Sequence, residues 1–501
     1  MKKVLKFVLP ILVVFGLIGF SYLAYTLLKP KDVVLVNYIS AGDTLLEQKS
    51  YSLALEQYKK GINQDPKGKD GYVKASNIYL LKNDTEQSLK ILLEGVKNTS
   101  SEDIYLELVK VYTKLKDYSK AYDSSLKITM ITETNISDIF YANINNNKIT
   151  EGKDILEKYL ADNSSSDAKL NLLAGLLNYT DSVKAKLYLS KASVIKEGDS
   201  SDTAKWVKDL SDTLDKITAD ASKEQIDTNT SNIARLMILS KLNSSAVLIL
   251  DEVIKKNSEF DLLYLLRGIA KLQSNDVAGS KTDLEKAYSL NPIREETLTF
   301  LARVYSLEKN VQASGEIYDK AISLFPNSES LLVDNYNMVL EAGLYSKAEI
   351  ALQKLISLKG SNTLSYKIEL AKLYLDKMAN YDEVIVLTDD IMNKIPEYQK
   401  IDNSVKAEVE LYDIWAKYKK SLASKTKYTT TQIVDALNQV IQKYDSSSAR
   451  AYLYLGYMYI GTISSEDKNL PKTIEVLTKC IDFDLNNKFT KEANELLKKT
   501  V

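Results

Sequence analysis

The sequence repeats itself every 34 residues, and this period constrains its fold more than any other feature. Ser280, Ser314 and Ala348 stand 34 apart, as do Leu284, Tyr318 and Leu352, and Gly268, Ala302 and Tyr336. Pro292 and Pro326 share the spacing. Near the start it returns in Tyr38 and Tyr72, Gly42 and Ser76, Ala54 and Ser88, Tyr58 and Leu92, and Gly61 and Gly95. Each unit holds two stretches with helical spacing of apolar residues, joined by a short turn. In 262–273 the apolar set is Leu262, Leu263, Leu265, Leu266, Ile269 and Leu272; in 281–290 it is Leu284, Ala287, Tyr288 and Leu290. Asn291-Pro292 follows, and proline there ends one hairpin and starts the next. Small residues recur at two places, Gly42, Gly268, Ala302, Ala371 and Gly456 at one, Ala54, Ala121 and Ala348 at the other. Helix axes approach closely only across small side chains, so these positions mark crossings. A lone hairpin cannot bury its apolar stripe, whereas stacked neighbours can.

The pattern resembles the tetratricopeptide repeat family, whose motif runs aromatic, Leu-Gly, Tyr, Ala, aromatic, Ala, Pro. Tyr264, Arg267-Gly268, Leu284, Ala287 and Pro292 fill one copy; Leu298, Leu301-Ala302, Tyr305, Tyr318, Ala321 and Pro326 fill the next. Tyr38, Ala41-Gly42, Ala54, Tyr58, Gly61 and Pro66 fill the first. The resemblance implies an all-α, right-handed superhelical solenoid of tetratricopeptide-type hairpins. Array one covers 35–195 and array two 231–396, with weaker copies at 138–195 and 231–260. Residues 402–487 read as longer, divergent hairpins with an insertion at 463–472, and 488–501 as a capping helix. Between the arrays, 196–230 reads as polar breaks around a connector helix at 203–222 that carries Trp206, Leu210, Leu214 and Ile217. The tyrosines at repeat positions (Tyr79, Tyr112, Tyr305, Tyr374 and Tyr459; Tyr51, Tyr118, Tyr345 and Tyr381) are expected to pack.

The first thirty residues differ from the rest. Lys2, Lys3 and Lys6 precede an uncharged run at 7–28, 22 residues long, which as a helix reaches about 33 Å, enough to cross a bilayer core. Tyr22 and Tyr25 sit near its far end and Lys29-Pro30-Lys31 stops it. The solenoid is therefore expected to be preceded by one transmembrane signal-anchor helix, with 1–6 cytoplasmic. This predicts a single-pass protein of the cell membrane with most of the chain outside the cytoplasm. The alternative is secretion after cleavage near Ser21, at Gly19-Phe20-Ser21.

Composition removes most chemistry. The chain has no histidine and one cysteine, which excludes histidine-based nucleophile systems, His-ligated zinc, thiolate metal sites and intrachain disulfides. A formal net charge of −1 gives no reason to expect nucleic acid. Adjacent acids such as Asp389-Asp390 and Glu295-Glu296 diverge on a helix rather than converge. Asp482-Phe483-Asp484 opens like a calcium loop, but Asn487 replaces the required glycine and Ala493 the closing glutamate. No catalytic group, cofactor or metal is expected, and Cys480 is expected to be inert. In the family that the motif resembles, partners lie along the first helix of each hairpin. By position this picks Asn77, Lys110, Arg303, Asn337, Lys372 and Tyr457 as candidates for holding an extended peptide. A chaperone-tail clamp is not expected, because Val73 stands where its lysine belongs and Glu107 where its asparagine belongs. The functional expectation is a membrane-anchored scaffold for protein–protein interactions in the cell envelope. The alternatives are a translocon-associated or envelope-assembly factor for exported chains, and a solenoid whose tyrosines stack on cell-wall glycan.

Overall fold

The computed structural model of the protein describes residues 37–499, apart from 164–166, 193–200, 218–221, 257–258, 359–361, 423–427 and 461–469. It is a stack of helical hairpins. The first array runs α1 (Tyr38–Glu47), α2 (Tyr51–Gln64), α3 (Lys69–Leu81), α4 (Thr85–Asn98), α5 (Glu102–Lys114) and α6 (Tyr118–Ser125). It ends with α7 (Ile136–Asn145), α8 (Ile149–Asn163), α9 (Ala168–Leu177) and α10 (Ser182–Ala192). A single helix, α11 (Asp202–Asp215), connects it to the second array. That array begins with α12 (Lys223–Leu239), α13 (Asn243–Ile254), α14 (Asp261–Gln273), α15 (Val277–Leu290), α16 (Glu295–Leu307) and α17 (Val311–Leu324). It continues as α18 (Glu329–Glu341), α19 (Tyr345–Ser357), α20 (Thr363–Leu373) and α21 (Tyr381–Lys394). Two hairpins, α22 (Asn403–Leu422) with α23 (Thr430–Lys443) and α24 (Ala449–Tyr459) with α25 (Leu470–Phe483), precede the final α26 (Thr490–Lys498).

Eight turns inside hairpins are built on a left-handed residue, and in four of them the next residue is used twice. Lys49, Asn83, Lys116, Asn147, Lys241, Asn275, Lys309 and Gly343 all take φ between 55° and 73°. This left-handed residue lets the next N–H turn back onto the helix just ended. Asp84 N–H donates to Tyr79 O at 2.8 Å, and Asp117, Asp276 and Asn310 do the same to Tyr112, Lys271 and Tyr305 at 2.9 Å. The same four side chains then accept the N–H of Gln87, Lys120, Gly279 and Ala313, so each also caps the following helix. Between hairpins the proline rule operates: Asp65, Asn291 and Phe325 leave the helical region just before Pro66, Pro292 and Pro326.

Within a hairpin the helices cross at the small residues. A Cβ on Gly42 would lie 2.4 Å from the Tyr58 ring, on Gly268 2.9 Å from Leu284, and on Gly456 2.3 Å from Leu477. Ala54, Ala121, Ala302, Ala348 and Ala371 are fully buried. The core is drawn out along the stack in successive stretches, from Ala54 to Ala142, from Ile136 to Val304 and from Leu298 to Leu496. Ile155 packs against the first two stretches, and Tyr288 and Ile317 against the last two. Successive first helices touch, as α3 with α5, α5 with α7 and α16 with α18, whereas successive second helices barely meet. The first helices therefore line the inner side of the curve.

Two expectations change. The fold expected as a solenoid behind a transmembrane helix is corrected to a solenoid, because no helix among the described residues is long and apolar enough to cross a membrane. Even the 20-residue α22 carries Lys406, Glu408, Glu410, Asp413, Lys417, Lys419 and Lys420. The run at 7–28 lies outside the described residues. The cell-membrane localisation and the transmembrane signal-anchor fall with that correction. Second, α12 starts at Lys223, inside the stretch read as polar: Ser222 and Gln225 form a capping box, and Asp227, Asn229 and Ser231 are buried.

The chain also meets itself. Tyr141 Oη donates to Ser240 O at 3.1 Å, and Lys116 Nζ to Asn275 Oδ1 at 3.3 Å, joining array one to the start of array two. At its other end array one reaches the last hairpin. Ser52 N–H donates to Asp482 Oδ1 at 2.8 Å, Lys82 Nζ to Ile481 O at 2.5 Å, and Asn487 Nδ2 to Lys82 O at 2.5 Å. Burial pushes the Lys82 ammonium down, and Asp482 and Asp484 draw it partly back. Asp482→Ala combined with Asn487→Ala removes two of these bonds, at about 1 kcal/mol each. The double variant is expected to show a larger radius of gyration by small-angle scattering, with the helical circular-dichroism signal unchanged.

Candidate partner-binding surface

The six residues picked from the sequence all lie on first helices: Asn77 on α3, Lys110 on α5, Arg303 on α16, Asn337 on α18, Lys372 on α20 and Tyr457 on α24. They are spread along the stack, and each works within its own neighbourhood. Three of them are cations, and each meets an acid. Lys110 Nζ lies 2.8 Å from Glu107, with Asp138 of the next hairpin nearby; burial pushes the Asp138 carboxyl up while Lys110 pulls it down. Arg303 reaches Asp334 on α18 at 2.6 Å and lies 4.9 Å above the Phe300 ring. Lys372 meets Glu369 at 2.9 Å, and Glu369 also accepts from Tyr336 Oη at 3.0 Å. Tyr457 donates to Glu492 and tilts against Trp415. Asn77 and Asn337 are exposed.

The tyrosines are held in the same manner. Tyr58 donates to Asp43 at 2.7 Å, Tyr305 to Glu285 at 3.0 Å, Tyr366 to Glu329 at 2.6 Å, Tyr374 to Glu349 at 2.8 Å and Tyr444 to Glu410 at 2.6 Å. Burial, then the facing carboxylate, pushes the phenols of Tyr305, Tyr366 and Tyr374 up to about 12. All nine repeat-position tyrosines are buried or half-buried, which leaves little ring face for stacking on a sugar.

One centre had no counterpart in the sequence reading. Arg450, only 2% exposed, donates through Nη1 and Nη2 to Asp376 at 2.9 and 3.1 Å, through Nε to Glu408 at 3.0 Å, and through Nη1 to Tyr454 Oη at 3.0 Å. The rings of Tyr412 and Phe489 lie 5.0 Å from its guanidinium, and Tyr454 stacks on Trp415 at 3.9 Å. Asp376 sits in a π-helical turn at Tyr374–Met378, a distortion that often accompanies a specialised side chain. Burial pushes its carboxyl up, but Arg450, Lys488 and Lys372 outweigh this and hold it below the usual carboxylate range. These partners lie 42 and 74 residues from Arg450, off the repeat period, so no local signal announces them.

Two motifs of the sequence also have their places. Asp484 accepts the N–H groups of Lys488, Phe489 and Thr490 at 2.9, 2.6 and 2.6 Å, and Asp482 binds Ser52, so both acids of the calcium-like stretch serve the backbone. Burial pushes the Cys480 thiol up to about 12, which makes it a poor nucleophile.

The family model described as "Psidin, N-terminal TPR repeats region" matches residues 237–451. Over those residues the chain is similar to a tetratricopeptide-repeat family, in keeping with its stack of helical hairpins. Stress response protein NST1 of Saccharomyces cerevisiae, strains YJM789 and ATCC 204508 / S288c, is 27% identical over 125 residues, 24% of this chain and 10% of NST1. The match thus spans about a tenth of those curated relatives. Among solved structures, the APC/C hetero-tetramer Cut9-Hcn1 is similar at 14% identity and a TM-score of 0.33, covering 96% of this chain and 98% of that one. Naa15/Naa10 bound to HypK-THB gives 12%, 0.37, 92% and 96%. Yeast Tom70 gives 15%, 0.27, 94% and 96%.

Arg450→Met leaves Asp376 and Glu408 without their hydrogen-bonding guanidinium, with Lys488 still 3.9 Å from Asp376. Because both acids keep some contact with water, the expected loss is about 2–3 kcal/mol, below that of a fully buried pair. Denaturant unfolding followed by Trp415 fluorescence in a Trp206→Phe background measures it. Asp376 has a depressed pKa in the folded state, so its contribution is present above the unfolded carboxylate value of about 3.9 and is lost as pH falls through the folded value. The Asp376→Asn variant is accordingly expected to show a shallower loss of stability below about pH 4 than the natural protein.

Proposed function

We propose that this protein is a scaffold that holds an extended polypeptide segment along the inner faces of its first helices, with the amides of Asn77 and Asn337 bonding the partner's main chain. The observation that carries this reading is the pairing of every candidate cation with an acid of the chain itself, Lys110 with Glu107, Arg303 with Asp334 and Lys372 with Glu369. Such a surface is close to neutral locally. It offers little to a strongly acidic tail and suits a segment of mixed charge recognised through its backbone and apolar side chains. A carboxylate clamp needs unpaired cations in adjacent repeats, and the acids beside these three oppose that use. No step in this function requires a nucleophile, an acid–base pair or a cofactor.

Incorporation of a photo-crosslinking amino acid at Asn77 or Asn337, in cells that express the full chain, is expected to trap a partner polypeptide. The same group at Val386, 64% exposed on the second helix α21, is expected to trap none. Equal capture at all three positions would sink the inner-face reading. Binding of the trapped partner is expected to fall only about twofold between 50 and 200 mM salt, because few net charges are exchanged.

A further inference from the structure

We propose that the outer side of the solenoid carries a second docking site, a groove between α17 and α19 that takes an amphipathic α-helix of a partner protein with one basic and one acidic flank. The groove has a volume of about 750 Å³. Its floor is α18, through Leu332, Met338 and Val339, and its walls are the second helices of two successive hairpins. A trough between two helices above a third has the shape that the side-chain ridges of another helix fill.

The occupant is argued from charge and from one glycine. Glu316 and Asp319 line the α17 wall, and Lys347 and Lys354 the α19 wall. Asp319, Lys347 and Lys354 enter no ion pair among the described residues, although neighbouring charges such as Arg303 and Lys367 are paired with Asp334 and Asp390. The walls therefore have opposite sign without neutralising each other. A helix with lysines along one flank and glutamates along the other meets both walls favourably, and in one direction only. A helix of one sign faces a like-charged wall. Ile350, 64% exposed on the α19 wall, adds apolar surface left open to water.

Gly315 points the same way. Glycine inside a helix is unfavourable, and elsewhere in this chain it is explained by contact: Gly42, Gly268 and Gly456 each face a side chain that a Cβ would strike. Gly315 lies in the interior of α17, and a Cβ there would meet nothing within 4 Å. The chain by itself gains nothing from the missing methyl. A helix lying in the groove gains a closer approach to α17.

The test uses the full chain and a fluorescein-labelled helical peptide of about 18 residues. The peptide carries a leucine stripe, lysines on one flank and glutamates on the other. Fluorescence anisotropy is expected to show binding that weakens about tenfold when both flanks are lysine or both glutamate, and about tenfold on Asp319→Lys. Gly315→Ala is expected to raise the melting temperature of the free protein and yet weaken the peptide. Absence of binding, equal binding of the three peptides, or a Gly315→Ala protein that binds unchanged would each overturn the proposal. Sedimentation of the protein alone completes the test: a dimer dissolved by Gly315→Trp would assign the groove to a second copy of this chain and overturn the partner helix.

Discussion

The architecture depends on how closely the two helices of each hairpin cross. Where Gly42 faces Tyr58, Gly268 faces Leu284 and Gly456 faces Leu477, a methyl group would have to displace a packed side chain. That approach fixes the hairpin as a unit with an apolar surface left over on each side. Only another hairpin can cover the surplus, so the stack propagates and its core grows along one axis. The inner contacts of successive first helices and the looser outer contacts of second helices then set the curve.

Much of this was legible because it repeats. The 34-residue period, the crossing residues and the prolines placed the stretches read at 262–273 and 281–290 on α14 and α15, and the burial of Ala54, Ala121 and Ala348 follows from the same register. The turns were legible in principle. A Lys or Asn followed by Asp or Asn, as in Asn83-Asp84, Lys116-Asp117, Asn275-Asp276 and Lys309-Asn310, is the trace of a left-handed residue followed by a helix cap. The polar stretch before α12 misled because a capping box and buried hydrogen-bonding side chains have the composition of a loop. The apolar run at 7–28, with its flanking lysines and tyrosines, invited an anchor; it lies outside the described residues, none of whose helices is long and apolar enough to cross a membrane.

The candidate surface was legible only as a set of positions. Lys110 and Lys372 are neutralised by an acid three residues earlier on their own helix, whereas Arg303 is neutralised by Asp334 of the next hairpin. The Arg450 cluster does not follow the repeat period. It joins the π-helical turn after α20, α22, α24 and the segment before α26, where the repeats diverge and pairing replaces regular packing. The tyrosine–carboxylate bonds lie between these cases. Pairs such as Tyr336 with Glu369 sit 33 residues apart and fasten neighbouring units through a single hydroxyl.

The contact of Ser52 and Lys82 with 481–487 has a consequence for how the array comes apart. An open solenoid frays from its two terminal units, because each has a neighbour on one side only. Here the two outermost hairpins shield each other, and melting has no free end from which to start. Slow amide exchange around residues 52, 82 and 481–487 is the reverse of the profile that the terminal units of an open stack display.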